Sequence, residues 1–81
     1  MKKFLIKILA FSLTEENFDK AKDSLSSIGK IVDSGLDDDG QYYIECDLVT
    51  SAKNIQTASR NVENELNSLH ITWDYINIFE Q

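Results

Sequence analysis

Asp37-Asp38-Asp39-Gly40, followed by Tyr42-Tyr43-Ile44-Glu45-Cys46-Asp47-Leu48-Val49, is the stretch whose reading decides the fold. Aspartate side chains bond nearby backbone amides and glycine takes a positive φ, so the first four residues form a tight turn. After the turn the chain alternates. Tyr42, Ile44, Cys46 and Leu48 point one way, and Gln41, Tyr43, Glu45 and Asp47 the other. A period of two with one apolar face is a half-buried strand. The segment before the turn, residues 30–35, is short and polar and contains Gly35, which suits an edge strand. The turn therefore joins an edge strand to a core strand in a hairpin.

Working outward, residues 3–12 also alternate. Phe4, Ile6, Ile8 and Ala10 form a wholly apolar face that should meet helices, opposite Lys3, Leu5, Lys7, Leu9 and Phe11. Lys3 and Lys7 are expected to find water or the acids Glu45 and Asp47 across the sheet. Thr14 reads as a helix N-cap, with Glu15 and Glu16 complementing the helix dipole. Leu13 and Phe18 have the spacing of a hydrophobic staple. Phe18, Ala21, Leu25 and Ile28 form one helical stripe, and Gly29 is expected in the left-handed position that ends the helix. A second stripe, Ile55, Ala58, Val62, Leu66 and Leu69, follows a cap expected at Thr50 or Ser51. Residues 71–79 read as a last strand with two mixed faces, leaving open whether Trp73 or Ile76 faces the core. No proline and no linker composition interrupts the chain, so residues 1–81 are read as a single domain.

The order is β-α-β-β-α-β, the split-βαβ arrangement. In element order and pattern the chain resembles the ferredoxin-like superfold over essentially its full length. That resemblance implies an α+β domain with a four-stranded antiparallel sheet in the order 4-1-3-2. Right-handed crossovers place both helices on one face of it. The fold hosts many functions, so function has to come from the residues.

Those residues argue against an enzyme. The single cysteine, Cys46, belongs to the inward set of a central strand, where thiols behave as small hydrophobes, and forms no intramolecular disulfide. The single histidine, His70, sits at a helix–strand junction. A closed zinc site wants four ligands, and calcium loops alternate their ligands over a longer loop than Asp37–Asp39 provide. Gly29, Gly35 and Gly40 are too dispersed for a phosphate loop. No catalytic residue, metal ligand or cofactor is expected. Lys7 interrupts the N-terminal apolar run, which reads as a strand rather than a signal peptide, and a cytoplasmic protein is expected.

The chain has 14 acids and 8 bases, a formal charge of −6, and six of the acids fall between Lys30 and Lys53, where there is no base. They are Asp33, Asp37, Asp38, Asp39, Glu45 and Asp47. This acidity disfavours nucleic acid and anionic membrane as partners, because phosphate contact needs a cationic face. It favours a basic protein, with Asp37, Asp38 and Asp39 steering association and Tyr43, Glu45 and Asp47 making closer contacts, beside Asp33 on the edge strand. In size, acidity and lack of catalytic groups the chain is similar to small acidic immunity and inhibitor proteins of bacteria. That similarity implies neutralisation of a basic partner such as a nuclease toxin domain. The alternative is a homo-oligomeric ligand-binding or regulatory domain that associates through the open sheet face, where Leu5, Leu9, Phe11 and Val49 form an apolar patch.

Overall fold

A computed structural model describes residues 1–81, the side chains of Ser12 and Leu13 excepted. The Leu13–Phe18 staple therefore lies outside the described residues. The elements are β1 (Lys2–Leu13), α1 (Glu15–Ile28), β2 (Lys30–Leu36), β3 (Tyr42–Ala52), α2 (Ile55–Ser68) and β4 (Tyr75–Glu80). All strand pairs are antiparallel, in the spatial order β2-β3-β1-β4. This is the ferredoxin-like α+β arrangement expected from the pattern.

The core forms where the apolar face of the sheet meets both helices. Ile6, Ile8, Ile44, Cys46 and Leu48 pack with Ala21, Leu25, Val62, Leu66 and Ile71. Phe4, Ala52 and Ala58 close a smaller cluster near the start of α2. The period-two and helical stripes read from the sequence are the residues that lose water, which is the main favourable term in folding. Phe18 and Ile28 flank the core half-buried, whereas Ile55, at the head of the α2 stripe, is exposed.

The helix ends depart from expectation in instructive ways. Thr14 caps α1 as read, its hydroxyl accepting from the Asn17 amide at 3.2 Å. Gly29 is not left-handed: its φ of −157° is ordinary extended backbone. Its requirement is space, because a Cβ there would stand 2.5 Å from the Asp47 carbonyl oxygen and 3.0 Å from the Cys46 Sγ. The cap of α2 is neither Thr50 nor Ser51, since β3 runs on through both. Asn54 caps instead, accepting from the Thr57 amide at 2.9 Å. The left-handed helix end in this chain is that of α2, at His70, with φ 57°. His70 N–H donates to Asn67 O and Ile71 N–H to Leu66 O. This is the double bond pattern of a Schellman C-terminus, with its hydrophobic contact supplied by the core residues Leu66 and Ile71.

The last strand is shorter than residues 71–79. Ile71 to Asp74 are a connection in which Ile71 is buried and Trp73 packs on the core. The side-chain alternation restarts at Tyr75, so Ile76 and Ile78 also face the core. Both Trp73 and Ile76 thus point inward, because the residues between them are not a regular strand. Asp74 marks the restart: its carboxylate accepts from the Phe11 amide at 2.7 Å, and its own amide donates to Leu9 O at 2.9 Å.

Candidate functional site

The face of the sheet away from the helices is organised in cross-strand rows. Paired residues in a ladder share a face, so the register alone defines them. The first row is Val49, Leu5 and Phe79; the second is Lys30, Asp47, Lys7 and Asn77; the third is Asp33, Glu45, Leu9 and Tyr75. Beyond the third row lie Gly35 paired with Tyr43, and Phe11, whose ring is 5.9 Å from that of Tyr75. The turn of the hairpin completes that end.

The six acids do not act as one cluster. Asp47 is flanked by Lys7 and Lys30, and the Lys7 ammonium reaches its carboxylate at 3.2 Å. Lys3 stands opposite Ser51 and not opposite an acid. Of the two expected neutralising lysines, Lys7 is in place, whereas Lys3 is two rows from Asp47, beyond the Leu5–Val49 pair. Asp37 is used by its own turn: Oδ1 accepts from the Asp39 and Gln41 amides at 3.0 and 2.8 Å. Gly40, with φ +79°, closes that turn. Aspartates committed to backbone amides are poor candidates for a partner's lysine. Asp38 and Asp39 remain exposed at the tip.

Asp33 and Glu45 are different. A register shift between Ile31 and Asp33 leaves Val32 bulged and brings Asp33 directly across from Glu45. Like charges directly opposite one another are destabilising in a sheet. Tyr43 offsets this in part, its hydroxyl donating to the Asp33 carboxylate at 3.1 Å. That hydrogen bond, some desolvation and the charges of Asp33, Glu45 and Asp37 all raise the pKa of the Tyr43 phenol. The phenol is thus locked as a donor toward a negative surface. Among the described residues, the ion pairs are Lys2–Glu80, Lys7–Asp47 and Lys20–Glu16, none of which involves Asp33 or Glu45. The bulge that creates this pair was legible only as a polar, glycine-containing edge strand; its position depends on how β2 packs.

The single cysteine and the single histidine differ in their surroundings. Cys46 is fully buried, and burial, with the neighbouring charge of Asp47, pushes its thiol up to about 11. It stays protonated at neutral pH and makes only long sulfur contacts with Leu25 O and Asp47 O. His70 is exposed on the helix C-terminus. Among the described residues no group of three or more His, Cys, Asp or Glu side chains is placed to hold a metal ion. Among them, no helix is long and apolar enough to cross a membrane. Of the six acids and Tyr43, the structure brings Asp33, Tyr43 and Glu45 together, with Asp38 and Asp39 beyond them at the tip, Asp37 bonded within its turn and Asp47 paired with Lys7. No family model matches the chain, and no curated protein or solved structure matches it either.

Proposed function

We propose that this domain is a non-enzymatic binding protein that holds a basic protein against the hairpin end of its open sheet face. The observation that carries this is the in-register pair Asp33–Glu45: Asp33 accepts from the Tyr43 hydroxyl, and neither acid is in an ion pair among the described residues, whereas Asp47 in the next row is paired with Lys7. A like-charge pair is a cost in the free domain that a partner's lysine or arginine relieves. Asp38 and Asp39 extend the same field from the turn, and such a field raises association rates by roughly 10–10³-fold. The partner class that fits best is a protein whose own cleft is built for phosphate. A nuclease toxin domain is one such protein, and an acidic immunity or inhibitor protein binds it by replacing nucleic acid.

The rival reading, a homo-oligomer stacked through the open face, is disfavoured by the Lys30–Asp47–Lys7–Asn77 row that crosses that face. Stacking would take this charged row, and Asp33 and Glu45 in the row beside it, out of water, and desolvation offsets most of what Val49, Leu5, Phe79, Leu9 and Tyr75 contribute.

The test is affinity capture with the wild-type chain and with Asp33→Asn/Glu45→Gln, followed by mass spectrometry. A strongly basic protein should be captured by the wild type, released as salt shortens the screening length below about 10 Å, and lost in the variant. Capture that is indifferent to both would overturn the reading.

A further inference from the structure

The sheet has two free edges, and only one is protected against pairing. β2 carries the bulge at Val32, the charged Lys30 and Asp33, and Gly35, all devices that discourage an added strand. β4 has no bulge and no glycine, and its one charged residue, Glu80, lies at its end. It reads Tyr75-Ile76-Asn77-Ile78-Phe79-Glu80, pairs with β1 without a register shift, and leaves Tyr75 58% and Phe79 50% exposed. The Gln81 amide bonds to Lys3 O at 2.9 Å. With the constant register, this sets the ladder's phase. Odd-numbered residues bond β1, and Ile76 and Ile78 direct their N–H and C=O groups outward.

The residues of this edge are symmetric about Asn77: aromatic, isoleucine, asparagine, isoleucine, aromatic. An antiparallel two-fold centred on Asn77 therefore matches each group to its like. Tyr75 faces Phe79 of the second copy, Ile76 faces Ile78, and Asn77 faces Asn77. Ile76 and Ile78 form the hydrogen-bonded pairs, as the phase requires. We infer that β4 pairs antiparallel with β4 of a second copy of this chain, making a two-fold dimer with one continuous eight-stranded sheet.

Two further features select a second copy as the occupant. Beside the edge, Ile76 and Ile78 line a groove with Ile55, Gln56, Arg60 and Glu63 of α2, near neutral in charge and containing the 47% exposed Ile55. A paired copy's strand and helix would cover it. The acids, meanwhile, are on the far side of the sheet. With strands about 4.8 Å apart, the two β2 strands of the dimer lie seven spacings, or about 34 Å, from each other. That is several screening lengths at physiological salt, so the excess charge does not oppose this arrangement. At the ends of the pair, Glu80 is already held by Lys2 at 3.1 Å, and the Asp74 carboxylate is bound to the Phe11 amide. The acidic hairpins stay exposed at both ends, independent of the partner-binding reading.

The experiment uses the full chain. Sedimentation at rising concentration should show a dimer. Asn77→Cys should form an intermolecular disulfide under mild oxidation, because residues opposed at a non-hydrogen-bonded pair have Cα atoms about 4.5 Å apart. Tyr75→Cys alone should not, since its opposing residue is Phe79. Tyr75→Lys/Phe79→Lys should be a folded monomer by circular dichroism and sedimentation. Mixing it with Tyr75→Glu/Phe79→Glu should restore a dimer. A wild-type monomer up to about millimolar concentration overturns the inference, as does a dimer that Val49→Cys on the open face cross-links as readily as Asn77→Cys. Asp33→Asn/Glu45→Gln should leave the mass unchanged, so failure here is separable from failure of partner binding.

Discussion

The two edges of this sheet do opposite things with the same backbone problem. β2 and β4 each present a row of groups unpaired by any strand. On β2 the chain answers with a bulge, charge and a close approach of backbone to backbone at Gly29. On β4 it presents isoleucines and aromatics in an unbroken ladder. The difference teaches that negative charge and edge protection are one feature here: the bulge that spoils β2 as a pairing template is what sets Asp33 against Glu45. An edge that cannot pair is free to bind by side chains, and an edge without a bulge is free to bind by backbone.

The comparison can be broken most forcefully at Gly29. Gly29→Ala puts a methyl group 2.5 Å from the Asp47 carbonyl, where backbone rather than a flexible side chain must give way. The expected loss is about 3 kcal/mol or more, read from the denaturant midpoint. A loss below about 1 kcal/mol would show that β2 is not held this tightly.

Alkaline pH probes the same closure. The Cys46 thiol is held protonated up to about 11, while an unfolded thiol ionises near about 8.5. The folded value is the raised one, so its stabilisation is complete below about 8.5 and is lost as pH rises through about 11. The slope between those limits approaches about 1.4 kcal/mol per pH unit for this one group. Comparing wild type with Cys46→Ala isolates it from other groups that titrate there. Equal slopes would mean that water reaches Cys46 behind β2.

At the β4 edge the expected effects are smaller. Asp74→Ala removes the carboxylate that accepts from the Phe11 amide and starts the strand. A loss of about 1–3 kcal/mol is expected, partly recovered in Asp74→Asn. Amide exchange of Tyr75 to Phe79 should quicken more than that of β2, and the reverse order would contradict the assigned role. The smallest effect is a gain. His70→Gly relieves a left-handed residue at the end of α2 and should raise stability by up to about 1 kcal/mol, measured as a small rise in Tm.

Much of this was readable from local pattern. The alternation from Tyr42 to Leu48 and the stripe from Phe18 to Ile28 each identify an element, because period and burial are tied by geometry. The end of α2 was harder. His70 carries no glycine signature, and its left-handed φ follows from where Leu66 and Ile71 must meet. Glu45 and Asp47, two residues apart on one strand face, look equivalent in sequence because proximity along the chain says nothing about which row a residue joins. Register separates Asp47, paired with Lys7, from Glu45, paired with Asp33.

The sequence by itself determined the element order, the inward faces of β1 and β3, and the turn at Asp37–Gly40, all consequences of side-chain period and intrinsic backbone preference. Tertiary structure alone decided the use of Gly29 for space, the bulge at Val32, the restart of alternation at Tyr75, and which carboxylate faces a lysine and which faces another acid. Each of these depends on contacts between residues far apart in the chain. Such contacts exist only once the sheet has chosen its register, and a shift of one residue would exchange every face.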